Sequence, residues 1–261
     1  MSVLQSSAGA LPAVDRLLLI SSVPEPHRRF RYFNLRVKTL PESLLSEFAP
    51  LHPVDDTGIM AHQAPDFFAL WEAIEHHSNH ACTVPFWAAV WPGARMLSRY
   101  VLRNPETVSG KTVLDFGAGG AVAAIAAVLA GARKATANDI DPIACQVAAT
   151  NARANGIPLK IDGRDLLTAT DTTAFEVIFL ADMFYQKSLN ASLHRFLREQ
   201  RRQGAQVFIA DANRPFTPRK GSEVLCSGRL RVNKTIEGCE TREVTILRMV
   251  DRAESAAYFH Y

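Results

Sequence analysis

At 261 residues and 48% hydrophobic content, the chain is long enough for one full α/β domain plus an extension. Gly and Pro at 14 each exclude a disordered composition, and no run of about 18 uncharged apolar residues offers a transmembrane helix. A net charge of +3 is too small to indicate a nucleic-acid partner, and there is no internal repeat or low-complexity tract.

In chain order, the first 23 residues hold one acid, Asp15, and few basic residues, a poor composition for a presequence. Leu17–Ile20 is too short for a secretory core. The Arg-rich runs His27–Lys38 and Arg195–Arg202 read as solvated faces. His76, His77, His80 and Cys82 form a cluster whose spacing matches no common zinc pattern, so no metal is expected there. The four cysteines, Cys82, Cys145, Cys226 and Cys239, lack C-x-x-C pairing and fit a reducing compartment.

The most informative stretch is Lys111–Asp141. Thr112–Phe116 is an apolar run of strand formers ended by Gly117. Gly120–Gly131 is Ala-rich and helical in composition, and Ala135–Ala137 leads into Asn138-Asp139 as a second strand. Gly117 and Gly119 would let backbone approach a ligand closely at the carboxyl end of the first strand. Asp139 lies 22 residues beyond Gly117, the spacing of an acid that accepts both hydroxyls of a ribose. Together these residues predict a nucleoside-cofactor site.

What is missing narrows the cofactor. A dinucleotide fingerprint would need glycine where the chain has Val122, and no G-x-x-x-x-G-K-[ST] loop is present. No Tyr-x-x-x-Lys pair occurs either. Asp115-x-Gly117-x-Gly119 resembles motif I of class I S-adenosylmethionine-dependent methyltransferases. An acid suits that cofactor, whose methionine end carries an ammonium and a sulfonium rather than a pyrophosphate.

Further along, Pro142–Asn155 is helical, Leu159–Ile161 is a third strand followed by Asp165, and Phe175–Leu180 is a continuous apolar run suited to a central strand. Asp182-Met183-Phe184-Tyr185 follows it. Leu189–Arg202 reads as an amphipathic helix, Gln206–Ala210 as a fifth strand, and Glu223–Lys234 with Arg242–Met249 as a terminal hairpin joined near Gly238. The expected fold is a Rossmann-like α/β class I methyltransferase fold. Its seven-stranded, mostly parallel sheet would end in an antiparallel hairpin, with an N-terminal extension over 1–83, the methyltransferase domain over 84–250 and a tail over 251–261. The extension is expected to face the substrate or act as a lid.

The stretch from Pro85 through Gly119, then Ala137–Ala144 and Ala181–Tyr185, is similar to the electron transfer flavoprotein β-subunit lysine methyltransferases. These are seven-strand protein lysine methyltransferases carrying an Asp/Glu-x-x-Tyr/Phe motif. The resemblance runs roughly from Phe67 to Arg214, with weaker similarity around Phe30–Glu42. It implies S-adenosyl-L-methionine as cofactor and lysines of the flavoprotein β subunit as substrate. It also implies a bacterial cytoplasmic location, or the mitochondrial matrix in a eukaryote. Two departures stand out: Ala121 where the family has glycine, and Ala210-Asp211-Ala212-Asn213-Arg214 where it has Gly-Asp-Pro-Gly-Arg.

The resemblance places Trp91, Asp115, Gly117, Gly119, Asp139, Ile140 and Asp165 at the cofactor, with Asp165 at the adenine amino group. Asp182 would orient the target nitrogen and offset its growing charge, with Tyr185 beside it. Trp87 and Phe184 would line the substrate mouth. Asp182 could instead cap the following helix, and both Phe184 and Trp87 could be core. The chain lacks the Asn/Asp-Pro-Pro-Tyr of adenine and glutamine methyltransferases, which favours an sp³ amine over a planar amide. A small amine or peptide substrate, and a non-catalytic cofactor-binding module, are the alternatives.

Overall fold

The computed structural model describes residues 38–170 and 173–250. The readings of the leader, most of the first basic run, the similarity upstream of residue 38 and the tail over 251–261 lie outside these residues.

The chain begins with α1 (Glu42–Phe48), a hairpin of β1 (Leu51–Pro53) and β2 (Met60–His62), α2 (Phe67–Ser78), a short helical turn at Phe86–Ala88 and α3 (Pro92–Arg103). The alternating units follow: β3 (Thr112–Phe116), α4 (Val122–Leu129), β4 (Lys134–Asn138), α5 (Pro142–Ala154), β5 (Lys160–Asp162), β6 (Val177–Ala181), α6 (Lys187–Arg202) and β7 (Gln206–Asp211). β8 (Ser222–Arg231), a helical turn α7 (Lys234–Glu237) and β9 (Thr241–Met249) close the sequence of elements. The expected extension of β8 through Lys234 is not formed. Asn233 instead caps α7, its side chain accepting the Thr235 N–H at 2.9 Å.

Seven strands form one sheet in the order β5-β4-β3-β6-β7-β9-β8, parallel as far as β7, with β9 inserted antiparallel between β7 and β8. This is the sheet of the class I methyltransferase fold. The order reverses at β3, so ligands belong at the carboxyl ends of β3, β4 and β6. β6 is buried along Val177–Leu180 because helices cover both faces, which explains its unbroken apolar run.

The described part of the extension packs directly on the domain. Leu45, Leu70, Trp71 and Ile74 share a core cluster with Trp87, Ile143 and Val147 of the following region. The hairpin was not legible in the sequence, because strands of three residues give no periodicity to read. Asn151 of α5 and Asn155 at its C-cap hold it: Asn151 Oδ1 accepts the His62 N–H at 2.9 Å, and Asn155 Oδ1 accepts the Met60 N–H at 2.9 Å. Its turn meets α3 through Asp55–Arg95 at 2.6 Å, Asp56–Arg99 at 2.6 Å and Asp56–Arg103 at 3.1 Å. Among the described residues no helix is long and apolar enough to cross a membrane. His76 and His77 end α2, and no cluster among the described residues could hold a metal ion.

Candidate active site

The glycine turn after β3 is built as its sequence requires. Gly117 and Gly119 have φ of +67° and +51°, backbone that costs other residues about 1–2 kcal/mol. A Cβ on Gly117 would also collide with the Met183 side chain, so the thioether forms one wall of the turn. Ala121 adopts φ +60° just before α4, so its cost is backbone strain as well as conformational freedom.

Asp139 joins this turn to β4. Its Oδ2 accepts the Gly119 N–H at 2.9 Å and its Oδ1 the Asp141 N–H at 3.0 Å. Burial pushes the Asp139 carboxyl upward, against hydrogen bonds from Asp141, Gly119 and Ile140. Asp115 is almost fully enclosed, with one oxygen accepting the Ala124 N–H in the first turn of α4 at 3.0 Å. Burial, aided by the field of Asp139, raises its carboxyl to about 7. Asp115 therefore fastens strand to helix as well as adding negative charge. Ile140, 39% exposed, presents an apolar face beside Asp139. Asp165 caps a local turn, accepting the Leu167 N–H at 3.0 Å.

A second group lies at the neighbouring end of β6. Asp182 has φ +53° and is buried; Oδ2 accepts the Gly93 N–H at 2.7 Å, and Oδ1 accepts from Ala212 N at 3.0 Å and Arg214 Nε at 2.9 Å. The first turn of α3 thus holds the carboxylate through the Gly93 N–H at its positive end. Arg214 also forks onto Glu237 at 2.8 and 3.2 Å, and Glu237 accepts Arg242 Nε at 2.9 Å. Three of its four lone-pair sites are therefore filled by the protein. Nor does it cap the next helix, whose N-cap, Gln186, makes no side-chain capping bond.

Phe86, Trp91 and Tyr185 gather at the same strand ends. The Phe86 ring lies 5.9 Å from Trp91 and 6.2 Å from Tyr185, and the Arg214 guanidinium sits 5.4 Å from the Trp91 ring centre. Phe86 at 41% and Tyr185 at 43% exposure leave aromatic surface open. Trp91 Nε1 donates to the Phe86 carbonyl at 2.8 Å, which sets its ring plane. Two expected lining residues are placed elsewhere. Phe184 is fully buried against the α6 layer with Leu193 and Leu197, because the turn after β6 directs it into the core. Trp87 is buried in the extension's cluster, and its backbone rather than its indole lies against Gly119.

Phe86, Gly93, Arg214 and Glu237 belong to the site and were not singled out from the sequence. Arg214 had a signal, the basic residue ending the altered loop after β7, but its partner Glu237 is remote in sequence.

The chain is similar in sequence to known methyltransferases. The chain is 45% identical over 133 residues to the electron transfer flavoprotein beta subunit lysine methyltransferase of Mus musculus, covering 50% of this chain and 52% of that one. The Homo sapiens protein of that name is 41% identical over 133 residues, covering 50% of each. The matched half is methyltransferase-like. The chain spans about half the length of the curated relatives it matches. The sequence profile of the ribosomal protein L11 methyltransferase family (PrmA) matches residues 96–185, which hold the glycine turn, Asp139, Asp182 and Tyr185. Among solved structures, the ribosomal protein L11 methylase of Lactobacillus delbrueckii subsp. bulgaricus superposes with a TM-score of 0.40 at 19% identity, covering 60% of this chain and 79% of that one.

Proposed function

We propose that the chain is an S-adenosylmethionine-dependent N-methyltransferase acting on lysine side chains of a protein, the electron transfer flavoprotein β subunit by similarity to its relatives. One observation carries the reading. The Asp139–Gly119 hydrogen bond fuses the acid expected at a ribose and the glycine turn into one site.

The residues fit the cofactor. Asp139 already accepts from Gly119, Asp141 and Ile140 and keeps a lone-pair site for a sugar hydroxyl. Asp115 and Asp139 crowd negative charge into a buried corner, which favours a ligand bringing positive charge. Ile140 offers an apolar surface for a base, and Asp165 stands at the end of the neighbouring strand. Bound there, the cofactor would supply a methyl group activated by a sulfonium.

The chain's own contribution is positional. Asp182 keeps one lone-pair site, directed by the fixed bonds to Gly93, Ala212 and Arg214, to accept an N–H from the target amine. Phe86, Trp91 and Tyr185 give the aliphatic arm of a lysine an apolar passage, and a ring face to the positive charge that develops on its nitrogen during transfer, worth about 0.5–2 kcal/mol. Holding the reacting groups in line accounts for most of the acceleration such a displacement needs.

Incubation with labelled cofactor and purified flavoprotein β subunit should place label on lysine. Label confined to small molecules would point to the amine alternative, and binding without turnover to a non-catalytic module. Asp139→Ala should weaken cofactor binding by more than about tenfold in calorimetry, the loss of a charge-assisted hydrogen bond. Unchanged affinity would refute the ribose assignment.

A further inference from the structure

Asp182 presents a chemical difficulty if it meets a lysine. A lysine amine has a reference pKa of roughly 10.4, and only its uncharged form is a nucleophile. A bare carboxylate beside it would stabilise the ammonium and suppress the reactive form. The structure removes that bareness. Arg214 Nε lies 2.9 Å from Asp182 Oδ1, both side chains are largely shielded from water, and the rest of the guanidinium is forked on Glu237. Glu237 is in turn held by Arg242 through Nε at 2.9 Å, and through a second nitrogen that donates to the Glu237 backbone carbonyl at 2.8 Å. Asp182, Arg214, Glu237 and Arg242 form an alternating chain of charges from β6 across the β7 loop and α7 to β9, with no net charge.

We propose that Arg214 is a positioning residue that cancels the charge of Asp182, leaving that carboxylate to accept a single hydrogen bond from an uncharged amine instead of pairing with an ammonium. This rests on the lysine-methylating reading above. Arg214 touches neither reacting atom; it acts through Asp182. Its 5.4 Å approach to the Trp91 ring puts a fixed cation beside the aromatic passage as well, a further bias against an arriving ammonium. Among the described residues Asp211 also adjoins the network; it accepts the Arg214 backbone N–H at 3.1 Å and is itself driven toward its neutral form by burial.

The network predicts opposite effects from its two inner members. Arg214→Gln keeps hydrogen-bonding capacity but uncovers the Asp182 charge. The pH profile of kcat/KM on the flavoprotein β subunit should then move toward alkaline by about one unit or more, a roughly tenfold extra loss at pH 7 relative to pH 10. Glu237→Gln leaves Arg214 with surplus positive charge and should move the profile toward acid. A second readout needs no turnover. With S-adenosylhomocysteine present, calorimetry in buffers of different ionisation enthalpy should show the wild type releasing about one proton per lysine bound, and Arg214→Gln clearly less. Cofactor affinity serves as the folding control, and if Arg214→Gln does not fold, Glu237→Gln carries the test alone. Activity losses with unshifted profiles and unchanged proton release would overturn the proposal while leaving the methyltransferase reading intact. Absence of label from the wild type on any lysine would overturn both.

Discussion

Gly93 shows how one residue serves two sites. It lies in the first turn of α3, where a Cβ would stand 2.6 Å from the Ala210 carbonyl oxygen and 2.8 Å from Asp182 Oδ2. Backbone cannot retreat cheaply from such contacts, so Gly93→Ala should cost about 2–3 kcal/mol in urea unfolding. It should also lower kcat, because α3 carries Trp91 and the N–H that orients Asp182. Ala121 makes the complementary case: at φ +60° in a fully enclosed position, a methyl is tolerated where a branched side chain is not. Ala121→Val should destabilise by about 3 kcal/mol, measured as a fall in Tm with or without cofactor. Asp182→Ala is a poor probe of chemistry. It strands Arg214 and two backbone donors in a buried setting, at a cost of roughly 3–5 kcal/mol.

Among the elements, α5 does more than cover the sheet. Asn151 is fully buried; it accepts the His62 N–H of β2 and donates to the Gly120 carbonyl of the glycine turn at 2.9 Å. The N-terminal hairpin and the glycine turn are thus tied to the same side chain. Asn151→Ala should cost on the order of 3 kcal/mol through two orphaned backbone groups, and should weaken cofactor binding at the same time. Asp56→Ala, which removes exposed ion pairs between the hairpin turn and α3, should change stability by less than about 1 kcal/mol. Chemical denaturation of both variants checks the contrast. The parallel strands and their helices were legible in the sequence because their apolar runs are bounded by Gly117, Gly131 and Gly204. The hairpin and α7 were not, because elements of three or four residues are stabilised by partners distant in sequence.

For the whole molecule, the acids crowded at the strand ends set a pH dependence. In the folded state Asp115 titrates near 7 instead of 3.8, and Asp141 near 6, both raised chiefly by burial. The folded state therefore retains protons that the unfolded chain has released, and stability from these groups is lost as pH rises from about 4 to 7. Asp115→Asn keeps an acceptor for Ala124 and should flatten the fall in urea midpoint between pH 5 and 7.5. An unaltered slope would exclude Asp115 as its source. The amino-acid sequence by itself determined the alternation of strands and helices, the glycine turn at Gly117–Gly119 with Asp139 after the next strand, and the segment that carries Asp182. Those features are local, written in spacing and in residues suited to one backbone conformation. Only the tertiary structure decided which way Trp87 and Phe184 face, and that Asp182 meets Arg214 with Glu237 behind it. Those outcomes depend on how β6, β7 and the closing hairpin are brought side by side, since pairing between remote segments leaves no periodic mark in the chain.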